Sequence, residues 1–498
     1  MRYIPIIGLE IHVRLKTATK MFCRCANVDD TQPPNTAICP VCTGQPGALP
    51  VVNDEAVHLG VRTGLALGCA IPRQSHFDRK QYFYPDLPKG YQISQYDFPI
   101  SQHGAVELDI PGGVAPRDHI RIGITRAHLE EDAAKNIHDG ATGATLVDFN
   151  RASVPLVEIV TEPDFRTPKE ARFFLQELQA ILRAARVSDA DMEKGYMRCD
   201  ANISLLEVDD NNMPLKAGYN PKIEVKNLNS SRAVEKALEF EIARQLALYE
   251  AGEVPVGATR GWDENRGETS EQRLKETNAD YRYFPEPDLL PLDLAHVAEE
   301  ERARLPELPQ ATRDRLQAEW GFTRDDARTL VDMNLHEYAE QVLSEWTSDE
   351  HADAETHARW AKLVANWLCN KLAGLLAAKG RSLADHGITA ENFAEFINLI
   401  DDARINSANA QKLLEAMVDT GADPSHIMEE RNLGQIEDAG AVAEAVARII
   451  EQNPEQVEAV RSGKIALVKW FVGGVMKATE GRANPVQAEE EVKKQLGV

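Results

Sequence analysis

IGLEIHVRLK, residues 7–16, alternates apolar and polar side chains without a break. Ile7, Leu9, Ile11, Val13 and Leu15 fall on one side, and Gly8, Glu10, His12, Arg14 and Lys16 on the other. A period of two over this length marks a half-buried strand, because an amphipathic helix would repeat about every 3.6 residues. Glu10 and His12 therefore point the same way. Either they belong to the solvated outer face of an antiparallel strand, or they are a carboxylate and an imidazole aimed into a shared site that needs further ligands from elsewhere in the chain.

A chain of 498 residues exceeds what one hydrophobic core supports, so several domains are expected. No apolar run approaches the roughly 20 residues of a membrane span, and Glu10 arrives before a signal-peptide core forms. A soluble, cytoplasmic protein is the expectation. The formal charge of −24 argues against a broad surface that coats nucleic acid, while leaving local basic patches open.

Of the seven cysteines, four crowd together as Cys23-x-Cys25 and Cys39-x-x-Cys42. Two tight thiol pairs suit a closed tetrahedral zinc site in a reducing compartment, with chance cysteines or a redox pair as the alternatives. The stretch between them, with Pro33, Pro34 and Asn35, has no apolar pattern and needs a staple to order it. With four protein ligands no position is left for a substrate, so such a zinc holds the loop and does no chemistry.

Ala56, Leu59, Val61, Leu65 and Leu67 give a helical pattern, followed by FDRKQYFYPDLPKGYQISQYDFPI over 77–100. Here aromatics alternate with Arg79, Lys80 and Lys89, which reads either as a pocket that stacks a base and holds phosphate or as aromatics that merely pack. Ile120, Ile122 and Ile124 mark a strand that breaks into His128, Glu130, Glu131 and Asp132, acidic residues of the kind found at a helix start. VPLVEIV, residues 154–160, is apolar on both faces except for Glu158. A carboxylate there is costly without a partner, so Glu158 marks either a buried charge centre or a partnered structural glutamate.

CDANISL at 199–205 repeats the strand alternation, and KIEVKNLNSSRAVEKALEF runs from a strand into a helix that Ser230 or Ser231 can cap, near Lys226. From Leu292 amphipathic helices take over, with Trp360, Leu363, Val364, Trp367 and Leu368 on one core stripe. Near Ser407 short helices begin, and Arg461, Lys464, Lys469, Lys477 and Arg482 surround an apolar helix, as a solvated basic face or as an RNA contact.

These residues together resemble the B subunit family of the aspartyl/glutamyl-tRNA amidotransferases. IGLEIHVRL, the paired cysteines, FDRKQYFYPDLPKGYQISQ, GITRAHLEED, LVEIVTEPD, RCDANISL, EVKNLNS, YRYFPEPD and GGVMKATEGRANP stand in that family's order nearly end to end. Archaeal relatives carry a synthetase-like insertion that this sequence lacks, which places it with the bacterial three-subunit form. The resemblance implies an α+β fold: an N-terminal mixed-sheet cradle that carries catalysis and the zinc loop (1–291), a helical domain (292–406) and a small all-α tail that engages tRNA (407–498). Not all members keep the four cysteines; this chain does.

The resemblance also implies a reaction. ATP phosphorylates the side-chain carboxylate of Glu or Asp misacylated on tRNA, and ammonia from an amidase (A) subunit displaces the phosphate, with a small (C) subunit completing the heterotrimer. The absence of a convincing Ser or Cys nucleophile motif here agrees with glutamine hydrolysis lying on a partner. Carried over residue by residue, His12, Glu131 and Glu158 correspond to Mg²⁺ ligands with Glu10 beside them, and Lys80 and Lys89 to phosphate contacts. Because imidazole is an unusual ligand for a hard ion, Mn²⁺ stands beside Mg²⁺ as the expected metal. The competing reading is a non-catalytic scaffold that only holds tRNA.

Overall fold

The computed structural model describes residues 2–29, 31–215, 218–274, 281–345, 354–436, 439–479 and 481–498. It divides into two compact units, Met1–Pro309 and Gln310–Val498.

The opening strand, Arg2–Arg14, lies inside an eight-stranded mixed sheet of the first unit. From one edge the order is Glu268–Leu274, Ala258–Asp263, Ile223–Leu228, Met197–Val208, Arg2–Arg14, Pro155–Thr161, His119–Glu131 and Ser101–Asp109. Ile223–Leu228 and Ala258–Asp263 run parallel; the other neighbours are antiparallel. Ile7, Leu9, Ile11 and Val13 are all buried and share one core with the helices Asp54–Ala66, Pro168–Ala184 and Ser231–Glu250. Each helix starts where local chemistry allows it. Asn53, Thr167 and Ser230 accept backbone N–H groups as N-caps, Thr167 and Glu170 form a reciprocal capping box, and Pro168 sits in the first turn. With the helices on the apolar face, the Glu10–His12 face of the sheet is left to do other work.

One strand departs from the sequence reading. His119–Glu131 does not end near Ile124; it runs on through the acidic cluster, and no helix starts there. Its pairing with Pro155–Thr161 shifts register between Ile124 and Arg126. Such a bulge moves every later side chain to the other face. Ile120, Ile122 and Ile124 are buried before it and Ala127 and Leu129 after it, so the core parity changes from even to odd. His128 and Glu130 consequently emerge on the polar face, and Glu131 does not.

The first unit continues past the composition change at Leu292. Helix Ala295–Arg304 packs on Asp54–Ala66 through Leu294 and Ala298, while buried Glu301 accepts from Arg62 Nε at 2.5 Å and lies 2.9 Å from His58 Nδ1. The second unit is helical and holds two hydrophobic cores. The first runs from Leu316 to Leu433 and buries Trp360 and Trp367, with Trp360 Nε1 donating to Asp401 at 2.8 Å. The second joins the helices Ala439–Glu451, Pro454–Arg461, Val468–Ala478 and Pro485–Leu496 around Val446, Phe471 and Val492. Among the described residues no helix is long and apolar enough to cross a membrane.

Candidate functional site

Strand register assembles a charged cluster on the polar face of the sheet. His12 sits directly across from Glu158 on one side, and His128 across from Glu158 on the other. His12 Nε2 is 3.3 Å from both Glu158 Oε2 and Glu130 Oε1, and His128 Nε2 is 3.3 Å from Glu158 Oε2 and 4.0 Å from Glu130 Oε2. One ligand atom from each of His12, Glu130 and Glu158 lies within 4.8 Å of the others. Both carboxylates and His128 are buried, and His128 Nδ1 has no hydrogen-bond partner.

The electrostatics follow from this crowding. Burial raises the Glu130 carboxyl, and the adjacent Glu158 adds to the effect, against the pull of His12 and Lys80. At Glu158 burial acts the same way, but the imidazoles of His128 and His12 outweigh it and hold that carboxyl well below the usual range. Burial would lower the His12 imidazole, yet Glu158 and Glu130 raise it to about 9. Two carboxylates with opposite shifts in one buried spot are what like charges sharing a site produce.

Further polar residues extend the site along the same face. Arg198, opposite His12 in the sheet, bonds Asp132, which also lies 3.7 Å from Arg151. Asp200, opposite Glu10, accepts from Lys226 at 2.5 Å, and Asn202 donates to Glu10 at 2.9 Å. Lys226 is thus engaged on the sheet and not at the N-terminus of helix Ser231–Glu250. A cavity of about 280 Å³ adjoins Glu10 and is lined by Gly8, Val160, Asn202, Ser204 and Tyr219, among others.

Of the residues singled out from sequence, the structure brings together His12 and Glu158 and places Glu10 two residues along the same strand face. It does not bring Glu131 to them. The Glu131 carboxylate accepts from the Lys89 ammonium and, at 2.9 Å, from the Ile93 N–H, on the far side of its strand from Glu130. Lys89 is therefore bound to a carboxylate. The Lys80 ammonium is 4.7 Å from the centre of the Tyr281 ring and 5.8 Å from that of Tyr82, within electrostatic reach of Glu130 and Glu158. Burial would lower the Lys80 pKa, but Tyr283, Glu130 and Glu158 outweigh it and raise it above the ordinary value. Glu130 and His128 were missed because the bulge hides their parity; the signal available in sequence was their i, i+2 spacing within GITRAHLEED.

The second cluster is the cysteine loop. One sulfur from each of Cys23, Cys25, Cys39 and Cys42 lies within 4.8 Å of the others, with Cys39 and Cys42 at 3.9 Å. The Cys39 N–H donates to Cys42 Sγ at 3.2 Å. Hydrogen bonding from Cys23, opposed by burial, holds the Cys42 thiol down at about 5, while burial pushes Cys25 up to about 11. Four sulfurs gathered on a loop without a core of its own fit a tetrahedral thiophilic metal such as zinc. The loop is docked on the residues that precede Glu158's strand. Asn35 N donates to Asp148 at 2.9 Å, Phe149 N to Asn35 at 2.8 Å, and Asn150 bonds Ala37 N and Pro33 O at 2.8 Å each.

A mixed sheet carrying buried carboxylates and imidazoles beside a four-cysteine loop defines a class of chain. Residues 5–299 match the model of the GatB/GatE catalytic domain, and 350–496 that of the GatB domain. The B subunit of the aspartyl/glutamyl-tRNA(Asn/Gln) amidotransferase of Caldanaerobacter subterraneus subsp. tengcongensis is 43% identical over 498 residues, covering 100% of both chains. The protein of the same name from Thermotoga neapolitana is 44% identical over 502 residues, covering 100% of this chain and 99% of its own. That from Thermomicrobium roseum is 44% identical over 495, covering 98% and 97%. The chain belongs to the family of aspartyl/glutamyl-tRNA(Asn/Gln) amidotransferase B subunits.

Proposed function

We propose that this chain activates and amidates the side-chain carboxylate of Glu-tRNA(Gln), Asp-tRNA(Asn) or both, in the cytoplasm, within a complex whose amidase (A) subunit supplies ammonia and whose small (C) subunit completes it. The carboxylate oxygen takes the γ-phosphoryl group of ATP, releasing ADP; ammonia then attacks the acyl carbon and phosphate leaves, so each amide formed consumes one ATP.

The observation that carries this reading is the convergence of His12, Glu130 and Glu158 from three strands, with donor atoms within 4.8 Å of one another. Two carboxylates with one imidazole suit Mg²⁺ or Mn²⁺, and such an ion would neutralise the phosphates during transfer. The residues of this chain supply the setting. The sheet fixes the donors, Lys80 brings a cation to the same spot, and the cavity beside Glu10 gives room for a substrate group next to the cluster. The two carboxylates and two imidazoles gathered beside an open cavity support an enzyme over a tRNA-holding platform.

The four cysteines hold one zinc that staples the loop, and the tail after Ser407 contacts tRNA through Lys464, Lys469 and Lys477. The deciding experiment measures tRNA-dependent ATP cleavage and transamidation by the assembled complex carrying Glu158→Gln. Both are expected to be lost, while tRNA binding and the partner's glutaminase persist. Transamidation at the parent rate across a magnesium titration would make Glu158 a structural carboxylate.

A further inference from the structure

Lys20 follows the opening strand and lies just before the first cysteine pair. Its side chain is completely buried, among the largest in the protein to be so. Its ammonium donates to the Phe149 carbonyl at 3.1 Å and approaches Cys42 Sγ at 3.6 Å. Among the described residues no carboxylate forms an ion pair with it, whereas Lys89 and Lys226 each have one. A buried ammonium without an anion is strongly unfavourable, and a carbonyl and a neutral thiol do not compensate its charge. The adjacent group able to carry a negative charge is the sulfur.

We infer that Lys20 is the built-in counter-charge of the four-cysteine site, holding Cys42 as a thiolate ligand and tying the loaded site to the Phe149 carbonyl. This rests on reading the cysteines as a zinc site. Four thiolates around one divalent ion leave a net charge of −2, which a protein interior does not tolerate uncompensated. One ammonium against a sulfur halves it. Hydrogen bonding to the thiolate also draws charge from it without displacing it from the metal, so the ligand becomes a poorer nucleophile. Phe149 and Asn150 are the residues on which the loop docks, and so the same side chain fixes both the charge and the position of the loop.

A disulfide at Cys42 would remove the anion and strand the ammonium, which favours a metal site over a redox pair. Lys20 is therefore a positioning residue for the metal.

The test uses the full chain purified with its metal. Lys20→Met keeps an unbranched side chain and removes the charge. Zinc is expected to pass to a competing chelator at about 10- to 100-fold lower chelator concentration than in the parent, and iodoacetamide should alkylate the loop cysteines faster. An unchanged chelator midpoint together with unchanged alkylation overturns the role of Lys20. A second arm does not depend on that variant folding. Cys42→Ser leaves the ammonium stranded whereas Cys25→Ser does not, so Cys42→Ser should show the larger fall in Tm with zinc in excess; equal falls overturn the proposal. A parent chain without stoichiometric zinc would instead refute the zinc reading itself, and Lys20 with it.

Discussion

The chain carries two clusters suited to metals, and they are built in opposite ways. The cysteine cluster draws its donors from a single loop, Cys23 to Cys42, that has little secondary structure. The His12 cluster draws them from three paired strands whose register leaves the side chains little freedom. A loop needs its metal to acquire a shape, so soft thiolates close around the ion and nothing else can approach. A sheet already has its shape. It can leave coordination positions open and bring two carboxylates together between imidazoles. On the proposed reading, the first cluster would turn binding energy into structure and the second would serve a substrate.

The largest expected effect breaks or confirms the second half of that contrast. Glu130→Gln should weaken Mn²⁺ binding about 100-fold, read by electron paramagnetic resonance of the free ion, and depress transamidation with it. Glu131→Gln, one residue away, should leave Mn²⁺ affinity near that of the parent and act only through Lys89. The reverse order would mean that the bulge parity does not govern the working state.

Removing the loop metal tests the first half. Chelation should lower the Tm of the chain by about 2 °C, equivalent to roughly 2 kcal/mol, while Mn²⁺ still binds at the strands. A parallel loss of Mn²⁺ affinity would show that the loop and the sheet act as one site through the Asp148–Asn150 contact.

Glu301 is the control, a fully buried carboxylate whose partners are structural. Glu301→Gln should cost about 2 kcal/mol by urea denaturation, because Arg62 and His58 lose their anion, and should leave transamidation intact. Burial would raise the Glu301 carboxyl, but Arg62 and His58 outweigh it and hold it below the ordinary value. Its contribution is therefore complete above the unfolded carboxyl pKa near about 4.3 and is lost as pH falls through the lower folded value. Parent and variant should converge in stability below that point. A gap that persisted in strong acid would assign the cost to packing.

The smallest effect lies in the tail. Lys477→Ala should weaken tRNA binding only modestly and reduce the slope of log affinity against log salt by about one unit. An unchanged slope would return Lys477 to an ordinary solvated face.

How far these features were legible depends on the range of the interaction that fixes them. The alternation of IGLEIHVRLK sets a strand, a serine cap at Ser230 starts a helix, and the cysteine spacing gathers four sulfurs, because each is decided within a short stretch. Glu158 announced itself as a charge inside an apolar run. Its partners did not. Glu130 replaced Glu131 because a bulge between Ile124 and Arg126, set by pairing with a strand some thirty residues on, reverses the parity that local alternation predicts.

The sequence by itself determined the family, the half-buried opening strand, the grouping of the cysteines and the core stripe of Trp360 and Trp367, since composition and period carry that information locally. Only the tertiary structure decided that the opening strand lies between Met197–Val208 and Pro155–Thr161, that His128 and Glu130 face His12, and that Lys20 is sealed against a sulfur. Cross-strand register and burial are properties of pairs of segments remote in the chain. No single stretch contains them, because the free energy that selects them exists only once both partners are in place.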